Sequence, residues 1–153
     1  MSIFPTKILL AFDGSREAEL AARTAAELAN STNSELHLIT VPDSTYHSLE
    51  WHFHGRYETY EEAIEAVMGE TQKVLDELVQ KVEELGGGVK EAHPRIGEPP
   101  DQAIIHVAEE LGIGLIAMGS RGLGGVRRAL MGSISESVVR YAHCPVMIVR
   151  PEK

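Results

Sequence analysis

The chain has a single cysteine, Cys144, in 153 residues. An intrachain disulfide is excluded, and so is a multi-cysteine zinc site, which leaves Cys144 to be read as a small buried apolar residue. Long apolar runs are missing as well. The early run Ile8 to Phe12 closes at Asp13, far short of the roughly 18 consecutive apolar residues that a membrane span needs. No small-residue cleavage site follows it, so neither a signal peptide nor an anchor is expected, and residence in the cytoplasm is the expectation. Basic residues are outnumbered, 14 against 23 acidic, for a net charge of −9. A nucleic-acid backbone is a poor partner for such a chain, because that binding needs Lys and Arg to neutralise phosphates.

What remains is 43% hydrophobic and 24% charged, a balance that excludes disorder and predicts one globular domain over residues 1–153. Beyond Gly119 the charge reverses locally. Arg121, Arg127, Arg128, Arg140, Arg150 and Lys153 there face only Glu136 and Glu152. A short basic segment on an acidic protein suits a small anion.

Lys7 to Phe12 reads as a strand covered on both faces. Asp13-Gly14-Ser15 breaks it, with Ser15 placed to cap a helix whose Ala18, Ala21, Ala22, Ala25, Leu28 and Ala29 recur at helical spacing up to Asn30. A strand over Glu35 to Val41 follows. Pro42 to Glu58 shows no clean period and reads as a long surface excursion. Its His47, His52 and His54 lack a partner fixed by helical spacing, so a metal site there is not favoured.

Thr59-Tyr60-Glu61-Glu62 fits a capping box opening a helix with Ile64, Val67, Met68, Val74, Leu78, Val82 and Leu85 on its apolar face, stopped by Gly86-Gly87-Gly88. Val89 to Ile96 should hold a third strand, and His93-Pro94 suits an edge position. A helix from Pro99-Pro100-Asp101 to Gly112, a buried strand Leu115 to Met118, a helix Ser133 to Ala142 and a strand Val146 to Val149 complete the chain. Helices between successive strands imply right-handed crossovers, hence an α/β domain with a doubly wound parallel sheet.

Ligands of such sheets bind outside the carboxyl ends of the strands, where strand order reverses. Two turns stand there. Asp13-Gly14-Ser15 leaves a carboxylate at the rim. The turn Gly119 to Ser133 holds Gly119, Gly122, Gly124, Gly125 and Gly132, five of the chain's 14 glycines, and runs into a helix N-terminus. Backbone amides that glycine leaves accessible, together with free N–H groups of a first helical turn, suit phosphate. An ordinary glycine loop ending in a Ser133-Ile134-Ser135-Glu136 capping box accounts for the same residues.

Gly112-Ile113-Gly114-Leu115-Ile116-Ala117 spells a dinucleotide fingerprint, but it precedes a strand instead of following one, so it is rejected. No G-x-x-x-x-G-K-[ST] occurs, and no lysine lies between Lys90 and Lys153. The usual lysine on a transferring phosphate is therefore missing from the loop, with Arg121, Arg127 and Arg128 as the available substitutes. Neither H-E-x-x-H nor G-x-S-x-G is present, and nothing supports a hydrolase triad.

The spacing Gly119-x2-Gly122-x9-Gly132-Ser133 resembles the nucleotide-binding signature of the universal stress protein family, in its ATP-binding branch. The resemblance extends to Lys7-Ile8-Leu9-Leu10-Ala11-Phe12-Asp13-Gly14-Ser15 and to His143-Cys144-Pro145-Val146-Met147-Ile148-Val149-Arg150. It implies a five-stranded, Rossmann-like sheet of order 3-2-1-4-5, with the third strand at one edge. It also implies ATP at the reversal between strands one and four. By position, Ala11 and Asp13 would line the ribose and adenine side, and Val41 would meet adenine through its backbone. Met118, Gly119 and Gly122 would border the nucleotide, and Gly132, Ser133, Ile134 and Ser135 would take the phosphates. Asp13 is suited either to a ribose hydroxyl or to Mg2+ held through water.

The expectation is an ATP-binding stress-response regulatory protein, with hydrolysis slow or absent. A true ATPase or nucleotidyl-transfer enzyme, and a nucleotide-free dimeric interaction module of the same fold, stand as alternatives. A homodimer through Val146 to Val149 is expected, because an uncovered apolar edge strand invites pairing.

Overall fold

The computed structural model describes residues 2–40, 59–95, 98–120 and 131–151. Strand β1 (Lys7–Ala11) leads into helix α1 (Arg16–Thr32), then β2 (Glu35–Thr40). Helix α2 (Tyr60–Glu84), β3 (Val89–Pro94), α3 (Pro100–Leu111), β4 (Leu115–Gly119), α4 (Ser133–Tyr141) and β5 (Val146–Val149) follow. The strands form one sheet of order β3-β2-β1-β4-β5, and every pairing is parallel. The Pro42–Glu58 excursion lies outside the described residues.

The unbroken apolar run of β1 follows from cover on both faces. Ile8 and Leu10 pack with Ala18, Ala21, Ala22 and Ala25 of α1 and with Leu75, Leu78 and Val82 of α2. Leu9 packs the opposite way, with Ala103, Ile104 and Val107 of α3 and Val138 of α4. Because β1 lies between β2 and β4, its end is where the connections leave in opposite directions along the sheet. The expected order and the edge position of the proline-bearing β3 are both found. Pro94 is tolerated there because an edge strand has a side on which no ladder N–H is needed.

Two details differ from expectation. Helix α1 runs two residues past Asn30 to Thr32, where Asn33 adopts a left-handed φ of 57° as the C-cap; asparagine tolerates that conformation, so the helix stops there rather than at the end of its apolar period. On α2 the buried line is Ala63, Val67, Thr71, Leu75, Leu78 and Val82, leaving Met68 54% and Val74 43% exposed. Val74 sits about 100° around the helix from Leu75 and cannot share its face.

Cys144 is half-buried against the α3/α4 side of the sheet, and burial pushes its thiol pKa up. It behaves as a packing residue. Gly112 caps the end of α3 with φ 66° ahead of β4, which confirms that the fingerprint-like Gly112 to Ala117 stretch does not open a helix. Among the described residues, no helix is long and apolar enough to cross a membrane.

Candidate functional site

The carboxyl end of β1 is fixed by short-range hydrogen bonds. The Phe12 amide donates to the Ile39 carbonyl at 3.0 Å, tying the end of β1 to β2. Asp13 Oδ1 accepts from the Ser15 amide at 2.9 Å, and Gly14 takes a φ of 82° to make the turn. Ser15 Oγ then accepts from the Ala18 amide at 3.2 Å, the N-cap of α1 expected from the sequence.

The end of β4 is held from three directions. The Ser120 amide donates to the Val149 carbonyl at 3.2 Å, and Ser120 Oγ donates to Glu17 Oε2 at 2.9 Å. Ser135 Oγ, buried on α4, lies 2.9 Å from the Gly119 carbonyl and 3.1 Å from that of Ser120, so it donates back to the strand end. The start of α4 is thereby pinned beside the end of β4.

Between these two strand ends opens a cleft. Of the residues carried over from the family resemblance, Ala11, Asp13, Met118, Gly119, Ile134 and Ser135 line it. Phe12, Ser15, Ala18, Ile39, Pro100 and Ile104 line it too and were not anticipated. Ile39 stands one residue before the end of β2 and Pro100 opens α3, so their arrival at the cleft follows from strand order, which no local motif announces. Gly132 and Ser133 adjoin the cleft at the start of α4 without lining it. Val41, Arg121 and Gly122 lie outside the described residues.

The anticipated Ser133 capping box is not formed. Gly132 is the N-cap, at φ −67° and ψ 158°, Ser133 is the first helical residue, and among the described residues no side chain caps the helix. The cause is tertiary. The Gly132 amide donates to the Ser120 carbonyl at 2.7 Å while the Gly132 carbonyl accepts from the Glu136 amide at 3.0 Å, so the backbone sets the cap one residue early. Glu136 is then one position too far along to reach back.

Chemically, the cleft joins an apolar wall of Ile39, Ile104, Met118 and Ile134 to a helix N-terminus without a side-chain cap. The first suits a flat ring; the second suits an anion. Among the described lining residues Asp13 is the one ionisable side chain.

Residues 5–150 match the sequence profile of the Universal stress protein family. The chain belongs to that family. A Staphylococcus haemolyticus protein named as a universal stress protein is 35% identical over 151 residues, covering 95% of this chain and 85% of the relative. The solved structure of the hypothetical protein MJ0577 is 25% identical with a TM-score of 0.75 and covers 99% of each chain. The universal stress protein from Archaeoglobus fulgidus, solved in complex with dAMP, is 25% identical with a TM-score of 0.62, covering 96% of this chain and 99% of its own. The doubly wound architecture of this universal stress protein is thus the one its family shares.

Proposed function

We propose that this universal stress protein is an ATP-binding regulatory protein of the stress response, working in the cytoplasm as one nucleotide-binding domain over residues 1–153. The observation that carries the reading is the cleft at the strand-order reversal, where an apolar wall meets the uncapped start of α4. The relative that holds dAMP supports an adenine nucleotide as the ligand class.

Ala11 and Asp13 take the ribose and adenine side, together with Val41. Met118 and Gly119 border the nucleotide, with Arg121 and Gly122. The triphosphate runs to the amides of Gly132, Ser133, Ile134 and Ser135, where the helix dipole favours negative charge. Asp13 fits the sparse protein share of a Mg2+ site, in which one carboxylate acts through water and the phosphates supply the rest. Hydrolysis is slow or absent, since the loop sequence holds no lysine for the departing charge and the described lining residues offer no base besides Asp13.

Titration calorimetry with ATP, ADP and AMP tests this. Affinity should rise with phosphate number, and Asp13→Asn should weaken ATP without changing thermal stability in the absence of nucleotide. Asparagine keeps the Oδ1 acceptor for the Ser15 amide while it removes the charge and replaces the other oxygen with an NH2 donor. Phosphate release by the same samples should stay well below the ~10 s⁻¹ typical of enzymes; faster turnover would favour the ATPase alternative. Wild-type protein without affinity for any of the three nucleotides would leave the nucleotide-free module. Equal affinity for AMP and ATP would keep an adenosine site and remove the phosphate role of the glycine loop.

The dimer expected from the sequence is part of the proposal. Strand β5 is a sheet edge whose Val146, Met147, Ile148 and Val149 are all only half-buried, the kind of surface that pairing with a second copy would cover. Sedimentation velocity at micromolar concentration should show a dimer. A monomer alone would count against it.

A further inference from the structure

At the far side of the sheet, β2 and β3 bring together three side chains that the nucleotide cleft does not use. His37, Glu91 and His93 each offer a ligand atom, all within 4.8 Å of one another. Their meeting depends on an irregularity. Leu36 pairs with Val89, but the register then shifts so that His37 pairs with Glu91 and Ile39 with His93. The extra residue, Lys90, turns Glu91 and His93 to the same face as His37; in unbroken register they would point away from it.

His37 is 3% exposed, and its Nε2 has no hydrogen-bond partner. A buried polar atom left unpaired costs about 1–3 kcal/mol, and Glu35 Oε1, 3.9 Å away, is the group placed to relieve it. Its Nδ1 lies 3.4 Å from His93 Nε2, beyond the usual 2.7–3.2 Å of an N–H hydrogen bond. Two nitrogens each ~2.0–2.1 Å from one tetrahedral ion lie roughly 3.3 Å apart.

We propose that His37, Glu91 and His93 form a binding site for a zinc-class divalent transition metal. His37 Nδ1, His93 Nε2 and the Glu91 carboxylate supply the ligands, a set that leaves a fourth position for water. The two rings are nearly parallel, 21° apart, so loading requires them to turn toward a common point. His93 is half-buried on the edge strand and Glu91 is exposed, so these two side chains, rather than the buried His37, are the ones that must move.

The proton inventory is simple. His37 keeps its Nε2 proton, and its Nδ1 faces the Nε2 of His93 at 3.4 Å before the ion arrives. His93 then shifts its proton to Nδ1, and Nε2 binds the metal. Glu35 Oε1, 3.9 Å from His37 Nε2, is placed to close on that N–H as the orienting carboxylate typical of metal-bound imidazoles. Competing cations nearby are engaged elsewhere: Lys7 Nζ donates to the Leu111 carbonyl at 3.1 Å, and Arg95 pairs with Glu110 at 2.6 Å. Burial lowers the pKa of His37, aided by the charge His93 would carry, and burial lowers that of His93 as well. Both imidazoles are therefore neutral at pH 7, the form that ligates metals.

Calorimetric titration of the full chain with Zn2+, with Co2+ absorption as a second readout, tests the site. One equivalent should bind wild-type protein, with a Co2+ spectrum of a tetrahedral or five-coordinate site. His93→Ala should weaken Zn2+ by about 100-fold, and Glu91→Gln and Glu35→Gln by about 10-fold each, as expected of ligand-set and orienting partners. The Gln variants alter exposed side chains, so they keep the test valid if His93→Ala fails to fold. Replacing His47, His52 and His54 together with Gln should leave the affinity unchanged. Absence of wild-type binding, unchanged affinity in both Glu91→Gln and Glu35→Gln, or loss of binding in the triple-histidine variant would each overturn the assignment.

Discussion

With Gly132 replaced by valine, the protein is expected to keep its fold and lose ATP. The backbone at Gly132, φ −67° and ψ 158°, is extended, a region that β-branched residues occupy readily. Its amide still reaches the Ser120 carbonyl at 2.7 Å, so the pinning of α4 to β4 survives the change. What changes is the space before the first turn of α4. In the proposed binding mode, a branched side chain there would stand between an incoming phosphate and the amides that would meet it. A single amide or dipole contribution is worth only about 0.3–1 kcal/mol, so the triphosphate must use several at once. Losing them together should weaken ATP by about 100-fold, on the order of 3 kcal/mol. AMP, which reaches less far along the helix, should lose less. Calorimetry of the variant against both nucleotides reads the difference. Undiminished ATP affinity would place the phosphates elsewhere.

That test turns on a helix start whose position could not be read locally. Ser133-x-x-Glu136 has the pattern of a capping box, and the helix it announces does exist, but the carbonyl of Ser120 claims the Gly132 amide and moves the cap. Where structure follows from one segment's own period, the residues announced it. The apolar runs of β1, β4 and β5 and the alanine face of α1 are of this kind, and Pro94 marks an edge by lacking an N–H. Features made by distant segments were hidden. Ile39, Pro100 and Ile104 become walls of the cleft only through strand order. Met68 and Val74 looked like core because they are apolar and near the right phase, yet the sheet accepts only the line through Leu75 and Leu78. The His37, Glu91 and His93 cluster needs the one-residue register shift beside Leu36, which nothing in either strand's alternation discloses.

Gly119 is the residue for which local motif and tertiary packing offer competing reasons, and substitution separates them. In a phosphate-binding signature its small size reads as access for a ligand. In the fold a Cβ on Gly119 would lie 3.0 Å from the Glu17 carbonyl carbon and 3.1 Å from its oxygen. Those are backbone atoms at the start of α1, which cannot swing aside as a side-chain end can. Ser120 Oγ also holds Glu17 at 2.9 Å, so relieving the clash would stretch that hydrogen bond. Gly119→Ala should therefore destabilise the nucleotide-free protein by about 1–3 kcal/mol, and Gly119→Val by more, in the manner of an overpacked core. Gly69 supplies the contrast. It lies inside α2 with nothing within 4 Å of its would-be Cβ, so Gly69→Ala should stabilise by about 1 kcal/mol through helix propensity alone. Urea unfolding of both variants without nucleotide reads the two signs. A Gly119→Ala protein as stable as the wild type would remove the packing reason and leave ligand access as the explanation for that glycine, whereas the expected loss means the first glycine of the signature is required by the fold before any nucleotide binds.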